Sequence, residues 1–330
     1  MDKKLLTISI AAYNVQNYIT ETLTPFLDEK YNDMLEVFVI DDGGKDSTVQ
    51  IAKGFAEKFP QIINVVHKEN GGWGSTVNTG ISLASGKYFK LLDGDDFFDT
   101  EELDRLLKNL QKIDADLILT PYYRFDEVSK EKTKIYPFDT DVKYLQNYSA
   151  EEACRHITDI AMHGCVFRTE VLKQNAVTIT EKCFYTDVEY ICKGLAFCKT
   201  VCFADNAVYM YRVSVSGQSV SVEGVKKHYK DYLKVVRALI DFYRKTPMED
   251  SVAEVLHKRI CESIAAYYGC LYIIGTTRRN RERVVAFDKK LKIEYPDFYD
   301  SKSRFVNICR KLNFRFFKLC AIYRRKTFAL

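Results

Sequence analysis

Apolar and polar positions alternate in blocks along the first 120 residues. Residues 5–12 and 35–40 are apolar or β-branched runs that end in polar residues, and each reads as a strand. Asp46-Ser47-Thr48 supplies cap residues for a helix running to Phe59. Residues 62–67 form a third strand, Gly71-Gly72-Trp73-Gly74 a loop, and residues 75–84 a helix with small residues on one side. Residues 88–92 form a fourth strand. Asp99-Thr100-Glu101-Glu102 caps a helix that ends near Lys112, and residues 117–120 are another strand. Short strands alternating with helices predict an α/β fold with a mostly parallel central sheet flanked by helices.

The pattern changes after about Tyr122. Residues 123–150 are polar and irregular with β-like pieces, residues 150–159 read as a helix, and 164–168 as a strand leading into another helix. Residues 209–222 are Ser/Val-rich and read as a flexible loop. Beyond Glu223 the chain is almost wholly helical, in segments 225–245, 250–274, 280–292 and 302–324. The expected organisation is a domain over 1–222, with halves 1–120 and 121–222, followed by a helical region over 223–330.

Composition narrows the class. The net charge of +4 hides an asymmetry: from Ser301 onward there are nine Lys/Arg and no Asp or Glu, which leaves residues 1–300 at −5. The ten cysteines all lie from Cys154 onward without a CxxC pair, and they predict free thiols in a reducing cytosol. The N-terminus opens directly into a strand pattern, and the longest apolar stretch, residues 264–275, is well short of the roughly 20 residues that span a bilayer. A cytoplasmic protein without a transmembrane helix is expected. The acidic body argues against nucleic acid.

Four residues carry most of the chemistry. Asp93-Gly94-Asp95-Asp96 follows the fourth strand, and three carboxylates there repel one another unless a cation or a sugar hydroxyl compensates. Carboxylate oxygens suit a hard divalent ion such as Mg²⁺ or Mn²⁺. A calcium EF-hand would need a late Glu, and Phe97 and Phe98 occupy the wrong places. An aspartyl-phosphate phosphohydrolase would place its Asp-x-Asp after the first strand rather than the fourth. Asp41-Asp42-Gly43 is either a capping turn or a pair that binds a base and a ribose. The span from Asn70 through Gly72 to Asn78 and Gly80 is either a tight turn with a small-residue helix or a segment that brings backbone N–H groups to an anion. Asp187, by spacing alone, is an acidic residue at a helix start.

Taken in order, Ile8 to Asn14, Val39 to Gly43, Asn70 to Gly80, Ala84 to Tyr88, Leu92 to Asp96 and Thr186-Asp187 resemble the inverting glycosyltransferases of family 2, over about residues 4–215. The resemblance implies a GT-A fold and non-processive transfer of one sugar from a nucleotide sugar of the UDP type, with Mn²⁺ or Mg²⁺ as cofactor. By the same resemblance Tyr13, Asp41 and Asp42 hold the nucleoside, with Asn14, Asn70, Gly72 and Asn78 also at the donor. Asp95 holds the metal with Asp93, which also reaches ribose or a metal-bound water. Asp96 faces the sugar, Asp187 is the catalytic base, and Tyr211-Arg212 with Ser219 closes over the diphosphate.

Three departures stand out. Thr76-Val77 replace the Ala-Arg often found before the Asn of the glycine segment, Thr186 replaces a Glu before the base, and no Gln-x-x-Arg-Trp of the processive synthases is present. The acceptor implied is a saccharide or lipid-linked precursor of a cell-surface glycan. A sugar-nucleotide pyrophosphorylase is the competing enzyme class, but its glycine-rich, Arg-containing loop after the first strand is missing from Ala11-Ala12-Tyr13-Asn14. A catalytically silent membrane-surface module on the same fold is the non-enzyme alternative.

In the tail, apolar residues at 305, 309, 312, 316, 319/320 and 323 share one helical face, opposite Arg310, Lys311, Arg315 and Lys318. That face either packs on the protein or lies on anionic lipid through residues 302–326 at the inner face of the cell membrane. Phe314 and Phe317, off the stripe, favour lipid. The helical third also leaves an oligomer open.

Overall fold

Strand β1 (Leu6–Ala12) lies between β2 (Leu35–Asp41) and β4 (Tyr88–Asp93), with β3 (Ile63–His67) outside β2, and all four run parallel. Leu6, Ile8 and Ile10 on one face of β1 and Thr7 and Ser9 on the other are all buried, as expected for a strand covered on both faces. The structure is a computed structural model that describes residues 4–214, 221–300 and 303–328. The expected site residue Ser219 lies outside the described residues.

The crossover helices Thr48–Lys58 and Trp73–Leu83 stand where caps and small residues place them. Asp46 Oδ1 accepts from the Thr48 amide at 3.0 Å, and Asp99 caps the helix Thr100–Leu110 through the Glu101 and Glu102 amides. The turn before β4 is pinned from within. The Glu36 carboxylate accepts from the Ser85 and Gly86 amides at 2.5 and 3.0 Å and from the Thr7 hydroxyl, which satisfies a nearly buried charge.

Beyond β4 come β5 (Phe97–Phe98), β6 (Leu117–Leu119), β7 (Tyr122–Asp126), β8 (Lys132–Ile135), β9 (Asn147–Ser149), β10 (Cys165–Arg168), β11 (Thr200–Phe203) and β12 (Tyr209–Val213). The large sheet has the order β3-β2-β1-β4-β10-β6-β11-β9, and β5-β12-β7-β8 form a second sheet. Strand β10 is antiparallel to both its neighbours, because the chain enters it through the turn Met162–Gly164 beside the end of β4 and runs back.

Two local expectations are corrected. Residues 209–213 are a strand, not a loop: β12 pairs with β5 and β7 and buries Tyr209, Met210 and Val213. The helix expected over 150–159 stops at Cys154, after which Ile157 bridges to Phe138.

The chain forms two compact units, Met1–Val215 with Met248–Val252, and Ser216–Pro247 with Ala253–Leu330. The first holds both sheets. The second is helical, with long helices over Val222–Lys245, Asp250–Ile273 and Arg278–Glu294. The single helix expected over 302–324 is two helices, Arg304–Lys311 and Phe317–Phe328. Asn313 and Phe314 break it at φ 46° and 54°, and Arg281 Nε donates to the freed Phe314 carbonyl at 2.8 Å. All ten cysteines are free thiols. Among the described residues no helix is long and apolar enough to cross a membrane.

The glycine segment approaches its neighbours too closely for side chains. A Cβ on Gly74 would sit 2.3 Å from the Thr180 carbonyl oxygen, whereas one on Gly54, mid-helix, would meet nothing within 4 Å. Gly74→Ala is therefore expected to destabilise the fold by about 1–3 kcal/mol. Gly54→Ala is expected to stabilise it by about 0.5–1 kcal/mol, both read as shifts in the urea midpoint.

Candidate active site

Strand register gathers the chemistry at one edge of the large sheet. Ala12 stands beside Asp41, Asp41 beside His67, and Ala11 beside Asp93. Tyr13-Asn14, Asp41-Asp42, His67-Lys68 and Asp93 to Asp96 therefore emerge together at the carboxyl ends of four parallel strands. The strand order reverses at β1, and such a switch point is where open α/β sheets bind ligands.

Tyr13 and Asn14 face solvent. Tyr13 is about half exposed, and Asn14 takes φ 54°, a conformation Asn tolerates, while its Oδ1 accepts from the Lys45 amide at 2.8 Å. Asp41 is fully buried; its Oδ2 meets His67 Nδ1 at 2.6 Å, and the Gly44 amide also reaches it. Asp42 is nearly buried and saturated. Its oxygens accept from the Gly71 and Gly72 amides at 2.9 and 2.7 Å and from Lys68 Nζ at 2.8 Å. The anion that the glycine amides hold is thus the protein's own Asp42 carboxylate. Gly72 sits at φ +81°, which favours glycine, and Asn70 Nδ2 closes the same turn onto the Asp42 carbonyl at 2.9 Å.

The three carboxylates after β4 have separate fates. Asp96 is buried, with Oδ2 accepting from the Tyr209 hydroxyl at 2.6 Å and Oδ1 from the Arg212 amide at 2.7 Å. It ties the strand end to β12 and does not face a sugar, which corrects the sequence expectation. Asp93 Oδ1 accepts from the indole Nε1–H of Trp73 at 2.7 Å. Asp93 and Asp95 are half-buried, and the three carboxylates lie close enough that one ion can be shared among them. With both Asp96 oxygens engaged, Asp93 and Asp95 are the pair that fits a hard divalent ion, with phosphate oxygens and water left to complete the set.

Burial pushes the Asp93 carboxyl up to about 7, with the Asp95 and Asp187 charges adding to the rise and the Trp73 bond opposing it. Burial also raises Asp95, against its own backbone and the Arg212 charge.

Asp187 is exposed at the first turn of the helix Asp187–Leu195, and its charge reaches both Asp93 and Tyr211. The segment that carries it is seated on the glycine loop. The Lys182 amide donates to the Gly71 carbonyl at 2.5 Å, and Asn78 Nδ2 donates to the Ile179 carbonyl at 2.9 Å. Asn78 Oδ1 in turn accepts from the Ile179 amide at 2.8 Å. Asn78 is therefore committed to this segment rather than to a nucleotide. Glu189, fully buried, holds the same segment through the Thr180 hydroxyl and the Lys193 ammonium.

Arg212, which the sequence resemblance sets over the diphosphate, is engaged with protein groups in this structure. It is nearly buried, with Nε on the Asp95 carbonyl at 2.7 Å, Nη2 on Glu21 at 2.7 Å and Nη1 on Glu127. A guanidinium with its donors so occupied is a brace for the Asp95 turn.

Four residues escape sequence reasoning: Trp73, His67, Lys68 and Lys90. Trp73, the sole tryptophan, has no role in the sequence pattern beyond its loop, although a lone indole beside glycines is itself a signal. His67 and Lys68, at the end of β3, pair with Asp41 and Asp42. Tyr211 stacks on His163 at 4.3 Å, and Lys90, fully buried, donates to the His163 carbonyl at 2.7 Å. Burial lowers the Lys90 ammonium to about 7.

The raised Asp93 value has a consequence for stability. The folded chain holds this proton more tightly than the unfolded chain, whose carboxyl titrates near 3.8. The stabilisation is present in full below that value and is lost as pH rises to about 7. Without divalent ion, the wild type is expected to lose on the order of 2 kcal/mol relative to Asp93→Asn between about pH 4 and about pH 8. Thermal melts of both proteins across that range test it; parallel curves would contradict it.

Comparison with known proteins agrees with this geometry. Residues 7–176, just over half of the chain, match the family model described as glycosyl transferase family 2. The uncharacterized glycosyltransferase EpsJ of Bacillus subtilis (strain 168) is 26% identical over 263 residues, covering 78% of this chain and 75% of EpsJ. Among solved structures, S. aureus TarS 1–349 in complex with UDP-GlcNAc superposes with a TM-score of 0.60 at 17% identity, over 94% of this chain and 92% of that one. The mannosyltransferase PcManGT of Pyrobaculum calidifontis, in complex with GDP-Man and Mn²⁺, has a TM-score of 0.54 at 16% identity, over 98% and 87%. These likenesses establish the shared GT-A fold, and with the family match they show that this chain is a glycosyltransferase belonging to glycosyl transferase family 2.

Proposed function

We propose that this chain transfers a single sugar, with inversion, from a UDP-sugar to a hydroxyl of a saccharide or lipid-linked acceptor at the inner face of the cell membrane. The observation that carries the reading is the pairing of an exposed carboxylate, Asp187, with a carboxylate cluster in which Asp93 and Asp95 alone are not fully engaged within the protein. UDP-GlcNAc bound to TarS and Mn²⁺ with GDP-Man in PcManGT support a nucleotide sugar and a divalent ion.

The residues divide the chemistry. Tyr13 and the edge at Asp41 and His67 receive the nucleoside, and Trp73 holds Asp93 in place by its indole N–H. Asp93 and Asp95 would hold Mn²⁺ or Mg²⁺, which supplies Lewis-acid stabilisation of the charge on the departing diphosphate. Asp187 takes the proton of the acceptor hydroxyl as its oxygen attacks the anomeric carbon. The carbon–oxygen bond to phosphate breaks with its electron pair left on the nucleoside diphosphate, and attack from the opposite face inverts the centre.

Asp187→Asn is expected to lower UDP-sugar turnover by roughly 10²–10⁴-fold. It should leave the Mn²⁺-dependent thermal shift with UDP intact. Asp95→Ala is expected to abolish that shift. A wild type without metal-dependent UDP binding or turnover would sink the enzyme reading and leave a silent module. Because Trp73 is the only tryptophan, its fluorescence reports the site directly. Mn²⁺ with UDP is expected to quench it, and Trp73→Phe to weaken Mn²⁺ affinity by roughly 10–100-fold as loss of an orienting contact. An unchanged affinity in that variant would remove Trp73 from the site.

A further inference from the structure

The two last helices have two apolar faces, and the protein's own packing uses one of them. On the inner face Val306, Cys309, Phe314, Phe317 and Ala321 are buried. Tyr272 lies against Phe305 and Phe317, with ring centres at 5.0 and 4.7 Å. Polar contacts fix this seat: Arg310 Nε donates to Asp288 at 2.7 Å, and Arg325 Nε to the Ile273 carbonyl at 2.8 Å. Phe314 and Phe317, expected from the sequence to favour lipid, are therefore core residues.

The outer face is a different set. Phe316, Leu319 and Tyr323 follow one another at i, i+3 and i+7 and are 54%, 64% and 63% exposed. Ile308, Leu312 and Ile322 are also exposed. Large apolar side chains clustered at the surface mark an interaction site, since each leaves apolar area in water that a partner surface could cover. Arg304, Lys311, Arg315 and Lys318 are exposed among them, and the chain has no Asp or Glu after Asp300.

Charge decides the occupant. A second copy docked through this face would bring two sets of cations together with no acidic residue of the tail to pair them, and like-charge juxtaposition is costly. A surface that offers both anionic headgroups and an acyl boundary satisfies the cations and the apolar side chains at once. We infer that the outer face of the helices Arg304–Lys311 and Phe317–Phe328 docks on an anionic lipid bilayer surface. The inference names the surface behind the membrane location proposed above and needs nothing from the sugar-transfer site.

The test is flotation of the full chain with vesicles of phosphatidylcholine alone or mixed with phosphatidylglycerol. The wild type is expected to float with the anionic vesicles only. Arg315→Gln with Lys318→Gln is expected to weaken partitioning by roughly 30-fold, at about 1 kcal/mol per cation. Phe316→Glu with Leu319→Glu is expected to abolish flotation, whereas Val128→Glu, at a position 80% exposed in the other unit, is expected to have no effect. Melting temperatures and the UDP–Mn²⁺ shift should be unchanged in all three variants, which separates this inference from the proposed activity. Equal flotation of wild type and Phe316→Glu/Leu319→Glu would overturn it. So would a concentration-dependent dimer in sedimentation that the same double variant dissolves, without vesicle binding by the wild type.

Discussion

Carboxylates crowded at the ends of buried parallel strands are the constraint on which the rest of the structure depends. Five of them, Asp41, Asp42, Asp93, Asp95 and Asp96, emerge at one sheet edge, and a buried charge without compensation costs several kcal/mol. The fold compensates three by internal donors. Asp41 has His67 and Gly44, Asp42 has two glycine amides and Lys68, and Asp96 has Tyr209 and the Arg212 amide. Asp93 receives one donor from Trp73 and remains raised toward 7, and Asp95 is raised by burial. The residual electrostatic demand is concentrated on the pair that family 2 glycosyltransferases are expected to give to a metal ion, so stability is held back where charge from a ligand would be received.

The glycine segment follows from the same constraint. Gly71 and Gly72 lend their amides to Asp42, and Gly72 and Gly74 leave room for the 179–183 segment to lie directly on them. One short loop thereby touches the Asp42 carboxylate, carries the indole that bonds Asp93, and seats the segment leading to Asp187. Positions distant in sequence are set by a common contact, and the closeness of backbone to backbone leaves the loop little freedom to shift one without the others.

Much of this was legible in the chain. The strand runs, the caps at Asp46 and Asp99 and the order of the acidic motifs specified an α/β sheet with carboxylates at its carboxyl edge, because local periodicity and capping are properties of neighbouring residues. The long helices of the second unit were legible for the same reason. Strand β12 was not, since its sequence runs into a Ser/Val-rich stretch and its pairing partners lie about 87 to 113 residues away. The two-faced tail was hidden because a single helical projection cannot register a break at Asn313 and Phe314.

Sequence alone determined which residue types stand at the sheet edge and that a family 2 arrangement of Asp41-Asp42, Asp93-Gly94-Asp95-Asp96 and Asp187 is present. Only the tertiary structure decided how those carboxylates divide. Asp42 and Asp96 became internal anchors, Arg212 became a brace, Asn78 a fastener for the segment leading to Asp187, and Trp73 a donor to Asp93. A side chain's type sets what bonds it can make, but which of them it makes depends on partners brought by strand register and loop contact from elsewhere in the chain, and no local pattern encodes them.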